Sequence, residues 1–126
     1  MENTLPLADG KTAPPSVVVQ LVTNLNPVAV FGALASEFRW AVLQWLAAGP
    51  PRTASEVASA FRREFDGVSK HLRLMRDVGV IGGEVGEDRR ETVYSIPAVF
   101  RATPGLIDYG VCQVRLPDAK KANGGS

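Results

Sequence analysis

A chain of 126 residues, 45% apolar and 21% charged, can bury one core and has the ordinary composition of a protein that folds in water. No apolar run approaches the roughly 18 residues that a membrane span requires, so no membrane partner is expected. The net charge of +1 and a pI near 7.9 exclude the strongly basic balance that many nucleic-acid binders carry.

No basic segment leads into a hydrophobic run near the N-terminus, so a secretory signal is not expected. Cys112 stands alone. One thiol makes neither an internal disulfide nor a Cys-rich metal site, and the expected compartment is the reducing cytoplasm.

Residues 1–15, polar and rich in proline, read as a flexible lead-in, residues 16–118 as one domain, and residues 119–126 as a loose tail. In "SVVVQLVTNL" Ser16 is positioned to cap a helix over Val18, Leu21, Val22 and Leu25. Three consecutive valines speak for a strand, and helix is the expectation. Asn26-Pro27 is a cap and first-turn proline for a short helix over "VAVFGALA". The next helix starts near Ser36, aligns Trp40, Leu43 and Ala47, and stops at Gly49-Pro50-Pro51. Thr53-Ala54-Ser55-Glu56 spells a capping box, and the helix it opens is expected to turn Val57, Ala60 and Phe61 inward.

From about Asp66 to Val78 a helix carries Val68, His71, Leu72, Met75 and Val78 on one side. Asp66, Ser69, Lys70, Arg73 and Asp77 take the other, and Gly79 marks its end. Residues 80–85 and 91–96 read as two strands joined by Gly86, Glu87, Asp88, Arg89 and Arg90. Beyond Pro97, "LIDYGVCQVRL" has the content of one more strand. The expected fold is mainly α with a small β part: a winged helix-turn-helix with an additional C-terminal strand.

Three stretches carry a resemblance to the arsenic-repressor-like (ArsR-type) transcriptional regulators. "FGALASEFRWAVLQWLAAGPP" resembles the family's opening helix pair, "SEVASAF" its positioning helix, and "VSKHLRLMRDVGVI" its recognition helix and exit. The resemblance spans about residues 28–96. It implies a duplex-DNA-binding regulator, a repressor and a homodimer, with helix 66–78 in the major groove and wing 80–96 beside it. The departures are instructive. The positioning helix, "TASEVASAF", has no Cys or His and the chain has one His, so the family's common metal sites are not expected, nor is any cofactor. Where the family closes its dimer with a C-terminal helix, this chain has an extended segment.

The expected DNA contacts are Arg62, Arg63, Gly67, Ser69, Lys70, Arg73 and Arg76 around the helix, and Arg89 and Arg90 at the hairpin tip. Each has a plainer reading. Charged helix faces are commonly just solvated, Glu87 and Asp88 are placed to neutralise the tip arginines, and Arg62 and Arg63 read equally well as exposed surface. Residues 52–90 hold eight cations against seven acids, so affinity for DNA rests on arrangement rather than total charge. That balance keeps open an alternative, a winged-helix protein-interaction module without DNA binding. His71 reads as a hydrogen-bonded structural histidine, Trp40 and Trp45 as core or dimer residues, and Cys112 as a buried inert thiol. No nucleophile elbow, phosphate-cradling glycine loop or catalytic cluster is present, so no enzymatic activity is expected. Operator and effector are not legible.

Overall fold

The computed structural model describes residues 24–117, which fall into two compact units: residues 26–98 form one, and residues 99–117 belong to the other. The helix expected over 16–25 lies almost wholly outside the described residues, as do the two ends expected to be loose.

Local chemistry sets each helix of the first unit. Helix α1 (Pro27–Leu34) opens with Asn26, whose Oδ1 accepts the Ala29 N–H at 3.0 Å, and with Pro27 where a missing donor costs nothing. Helix α2 (Glu37–Ala48) is capped by Ser36, its Oγ accepting the Arg39 N–H at 3.2 Å. Strand β1 (Arg52–Thr53) leads directly into helix α3 (Ala54–Phe61). The capping box is formed. Thr53 Oγ1 accepts the Glu56 N–H at 3.1 Å and Glu56 Oε1 accepts the Thr53 N–H at 2.9 Å. Helix α4 (Phe65–Val78) ends at Gly79, whose φ of 102° is the left-handed geometry that glycine adopts without strain.

Strands β2 (Gly82–Val85) and β3 (Thr92–Ser95) form the hairpin, and β1 joins it to give a three-stranded antiparallel sheet of order β1-β3-β2. The pairing of Arg52 with Tyr94 and Thr53 with Val93 ties the start of α3 to the wing. A two-residue strand has no readable period, which is why β1 was not anticipated.

The core lies between the helices and the sheet. Val30, Phe38, Val42, Leu43, Leu46, Val57, Leu72, Met75, Ile81 and Tyr94 are all buried. Helix α3 turns Ala54, Val57 and Ala58 inward and leaves Ala60 exposed, against expectation. The stripe Ala54-Val57-Ala58-Phe61 has helical spacing, and Ala60 falls off it. Phe61 meets Phe38 and Trp45 edge-on, with centroids at 5.5 and 5.6 Å, and the Arg52 guanidinium caps Trp45 at 4.4 Å.

Arg39 links three helices. From α2 its Nε donates to the Ala33 carbonyl at 2.7 Å and its Nη2 to the Gly32 carbonyl at 3.3 Å, satisfying the end of α1. Its Nη1 donates at 3.0 Å to His71 Nδ1 on α4. Arginine has no acceptor, so His71 Nδ1 accepts and the ring is neutral with its proton on Nε2. Half-buried His71 is thus a hydrogen-bonded structural histidine. Burial first, then the Arg39 and Arg63 charges, hold its pKa below the ordinary 6.5.

A 3-10 turn over Ala98–Phe100 follows, and the second unit then holds two short antiparallel strands, β4 (Leu106–Asp108) and β5 (Gln113–Arg115). The expected C-terminal strand thus divides into a hairpin. Gly110 turns it at φ 85°, and its N–H donates to Asp108 Oδ1 at 2.9 Å. Cys112 is half-buried, and burial followed by the Asp108 charge raises its thiol pKa. Phe100 and Tyr109 meet edge-on at 4.8 Å. Among the described residues, no helix is long and apolar enough to cross a membrane.

Two predictions follow from this packing. A His71 pKa lowered in the folded state gives stability that is fully present above about pH 6.5 and is lost as pH falls through the folded value. Thermal melts from pH 7.5 to 4.5 should therefore show a decline below about 6.5 that His71→Gln flattens. The second contrasts two glycines. A Cβ on Gly67 in α4 meets nothing within 4 Å, whereas one on Gly86 would lie 2.8 Å from Val93 Cγ2. Gly67→Ala should stabilise by up to about 1 kcal/mol through helix propensity. Gly86→Ala should destabilise by roughly 1–3 kcal/mol through overpacking, and chemical denaturation of both variants reads the opposite signs.

Candidate nucleic-acid interface

Three residues separate α3 from α4. Arg62 takes the left-handed conformation at φ 55°, its N–H donating to the Ser59 carbonyl at 3.3 Å, and the Arg63 N–H donates to the Ala58 carbonyl at 3.0 Å. Glu64 occupies the position before α4 and its side chain makes no capping bond, while Asp66 stands in the first turn. Both acids still lie at the positive end of the α4 dipole.

Helix α4 buries Val68, Ser69, Leu72 and Met75 and exposes Phe65, Asp66, Gly67, Lys70, Arg73, Leu74, Arg76 and Asp77. Lys70 and Arg73 stand outward as expected, and neither pairs with an acid among the described residues. Ser69 is the correction. Placed on the outward side by sequence, it is only 8% exposed. At 100° per residue it lies roughly 80° from the centre of the apolar stripe, the mirror of His71 on the other flank. Neighbouring elements close over that flank.

A hollow of about 280 Å³ opens there, and three elements converge on it. The start of α3 contributes Thr53, Ala54 and Ser55. Helix α4 contributes Phe65, Ser69, Arg73 and Arg76, and the wing contributes Arg90, Glu91, Thr92 and Tyr94. The capping box uses the Thr53 and Glu56 N–H groups, leaving those of Ala54 and Ser55 at the positive end of the α3 dipole. Among the described residues the hydroxyl of Ser69 has no hydrogen-bond partner. Amide donors, a hydroxyl and guanidinium groups are the receptor chemistry for a phosphate oxygen.

The wing tip is stapled by its backbone. The Gly86 N–H donates to the Glu91 carbonyl at 3.0 Å and the Glu91 N–H to the Asp88 carbonyl at 2.8 Å. Arg90 grips Asp88 through Nε to Oδ1 and Nη2 to Oδ2, both at 3.3 Å, and its N–H donates to Oδ1 at 3.0 Å. Those bonds, the side chain's before the backbone's, lower the Asp88 pKa. Arg76 likewise pairs with Asp77 at 3.2 Å. Exposed pairs of this kind are weakly held and exchange readily for another anion. Arg89 is exposed at the tip and pairs with no acid among the described residues.

Arg63 is less available than its exposure implies, because its guanidinium stacks on the Phe38 ring at 4.3 Å. With Arg62 it lines a second hollow, bordered also by Ser59, Glu64 and Phe65. Of the nine residues singled out by sequence, Ser69, Arg73, Arg76 and Arg90 thus gather at one hollow and Arg62 and Arg63 at another. Gly67 and Lys70 lie on the open face of α4, and Arg89 at the tip. Phe65, Thr53 and Ser55 were not among them. Phe65 is in line with Val68 and Leu72, so period alone buries it. In the structure it lines both hollows and is 49% exposed.

No family model and no curated protein matches the chain. Solved structures similar to it include the following two. HlyU from Vibrio cholerae N16961 is 23% identical, covering 55% of this chain and 72% of its own at a TM-score of 0.49. An ArsR family transcriptional regulator is 32% identical, covering 61% of this chain and 84% of its own at a TM-score of 0.50. Four helices and a small three-stranded antiparallel sheet agree with the second likeness, and on these grounds the chain belongs to the ArsR-like winged-helix family.

Proposed function

We propose that this chain is a sequence-specific duplex-DNA-binding transcriptional regulator, a cytoplasmic repressor that acts as a homodimer with residues 16–118 working as one domain. The observation that carries the reading is the convergence of the α3 start, Ser69, Arg73, Arg76 and Arg90 on one anion-receptive hollow beside exposed Lys70. The 32% identical structure, itself a transcriptional regulator, supports it.

In this reading α4 enters the major groove, where Lys70 and Arg73 reach guanine O6 and N7. A backbone phosphate sits in the hollow, held by the Ala54 and Ser55 N–H groups, the Ser69 hydroxyl and Arg90. Gly67 leaves the first turn of α4 without a side chain, so the helix approaches base edges closely. Arg76 and Arg90 exchange their acid partners for phosphate, and Arg89 meets the minor groove or its backbone. Two protomers read half-sites about one helical turn apart.

The alternative, a protein-interaction module, is favoured by one observation: Arg76 and Arg90 are already neutralised by Asp77 and Asp88. A titration with random duplex at about 50 mM salt separates the two. Binding weaker than roughly 10⁻⁴ M, the loose limit of non-specific affinity, selects the interaction module.

The combined variant Lys70→Ala and Arg73→Ala should lose gel-shift binding, since each contact is worth roughly 1–3 kcal/mol. Its melting temperature should be unchanged, because both side chains are exposed. Full affinity in a folded variant would remove α4 from the DNA interface. Arg89→Ala should instead weaken all duplexes alike and lower the salt slope by about one.

A further inference from the structure

Large apolar side chains on a solvent-facing surface need an explanation, and Phe65 has an unusual setting. It is 49% exposed at the first position of α4 and borders both hollows, with Arg73 and Arg90 on one side and Arg62 and Arg63 on the other. An apolar protein partner covering Phe65 would have to strip water from those guanidinium groups without pairing them. A polyanion pairs them while covering the ring.

The major groove offers one apolar group, the C5-methyl of thymine, to which a phenylalanine side chain is suited. Residues at the N-terminus of a recognition helix are the ones that meet base edges. The neighbouring Gly67 has open space where a side chain would stand, so that position puts no side chain between a base pair and the ring. Leu74, the other exposed apolar residue of α4, lies roughly 13 Å further along the axis, beyond that turn.

We infer that Phe65 is a specificity-determining residue that packs on the C5-methyl group of a thymine in each half-site. The inference rests on the DNA-binding reading, and it assigns the ring a role that the cations cannot perform. Lysine and arginine choose guanine, whereas the ring rewards a methyl group that no charged contact detects.

The test begins by selecting duplexes from a random pool with the full chain. Each thymine of the enriched half-site is then replaced by deoxyuridine, which removes the methyl group and leaves base pairing intact. Affinities are measured by fluorescence anisotropy for wild type and Phe65→Ala, with Phe65→Gln as a second variant should alanine impair folding in thermal melts. Wild type should lose roughly three- to tenfold at one thymine, the worth of burying about one methyl group. The Phe65 variants should bind the thymine and uracil duplexes equally. The proposal is overturned if no thymine in the half-site shows the effect, or if a folded Phe65 variant discriminates as wild type does. Failure to enrich any duplex overturns the DNA-binding reading itself, whereas enrichment without methyl discrimination overturns only the role of Phe65.

Discussion

The rotation of α4 about its own axis governs everything the surface presents. Val68, Leu72 and Met75 are 0–1% exposed and face the other helices, so the helix cannot turn without bringing apolar area into water. That one angle brings Lys70 and Arg73 outward, puts Ser69 and His71 on the two flanks, and leaves Phe65 half-exposed at the helix start. Arg39 reinforces it from the His71 side with a directional bond that tolerates little rotation. The Ser69 flank is covered from the other direction by the start of α3 and the wing. The basic face is therefore a consequence of core packing, and its geometry is fixed before any ligand arrives.

How much of this was legible depended on the range of the interaction. Capping is local, so Asn26, Ser36 and the Thr53-Glu56 box each marked a helix start correctly. Gly79 marked the end of α4 because a left-handed residue is a local requirement. The apolar period correctly gave the buried stripe of α4 but not its width. Ser69 was misjudged, since its exposure depends on where α3 and the wing lie against that stripe. The two-residue β1 and the division of the C-terminal strand at Gly110 are equally invisible to periodicity. Of the candidate site, residue types were readable and groupings were not. Nothing in the spacing of Ser69, Arg73, Arg76 and Arg90 tells that they line one hollow.

Near-neutral charge over residues 52–90 is consistent with an anion-binding surface once the acids are located. Glu56 is consumed by the capping box, Asp77 and Asp88 hold arginines, and Glu64 lies at the entry to α4. These four acids thus serve helix ends and orient guanidinium groups, while exposed Lys70, Arg73 and Arg89 pair with no acid among the described residues. Arrangement rather than total sets the local potential, and within roughly 8–10 Å, the screening length at ordinary salt, an approaching phosphate senses the arrangement.

Helix and wing would work as separate grips if the hairpin were free to swing, and the packing argues otherwise. Gly83 lets the Arg76 stem cross the wing base, where an added Cβ would lie 3.2 Å from Arg76 Cδ and 3.0 Å from Thr92 Cγ2. Tyr94, opposite Gly83 on β3, is buried at the hollow, and its other neighbour on the sheet is Arg52 of β1, which stacks on Trp45 of α2. A chain of contacts therefore runs from the α2 aromatics through the sheet to α4. Any ligand that spans the helix and the tip meets a surface whose two parts are already at a set distance. Binding then costs the ordering of a few exposed side chains rather than of a loop, and that difference is what allows a chain with so little net charge to hold a polyanion in a defined register.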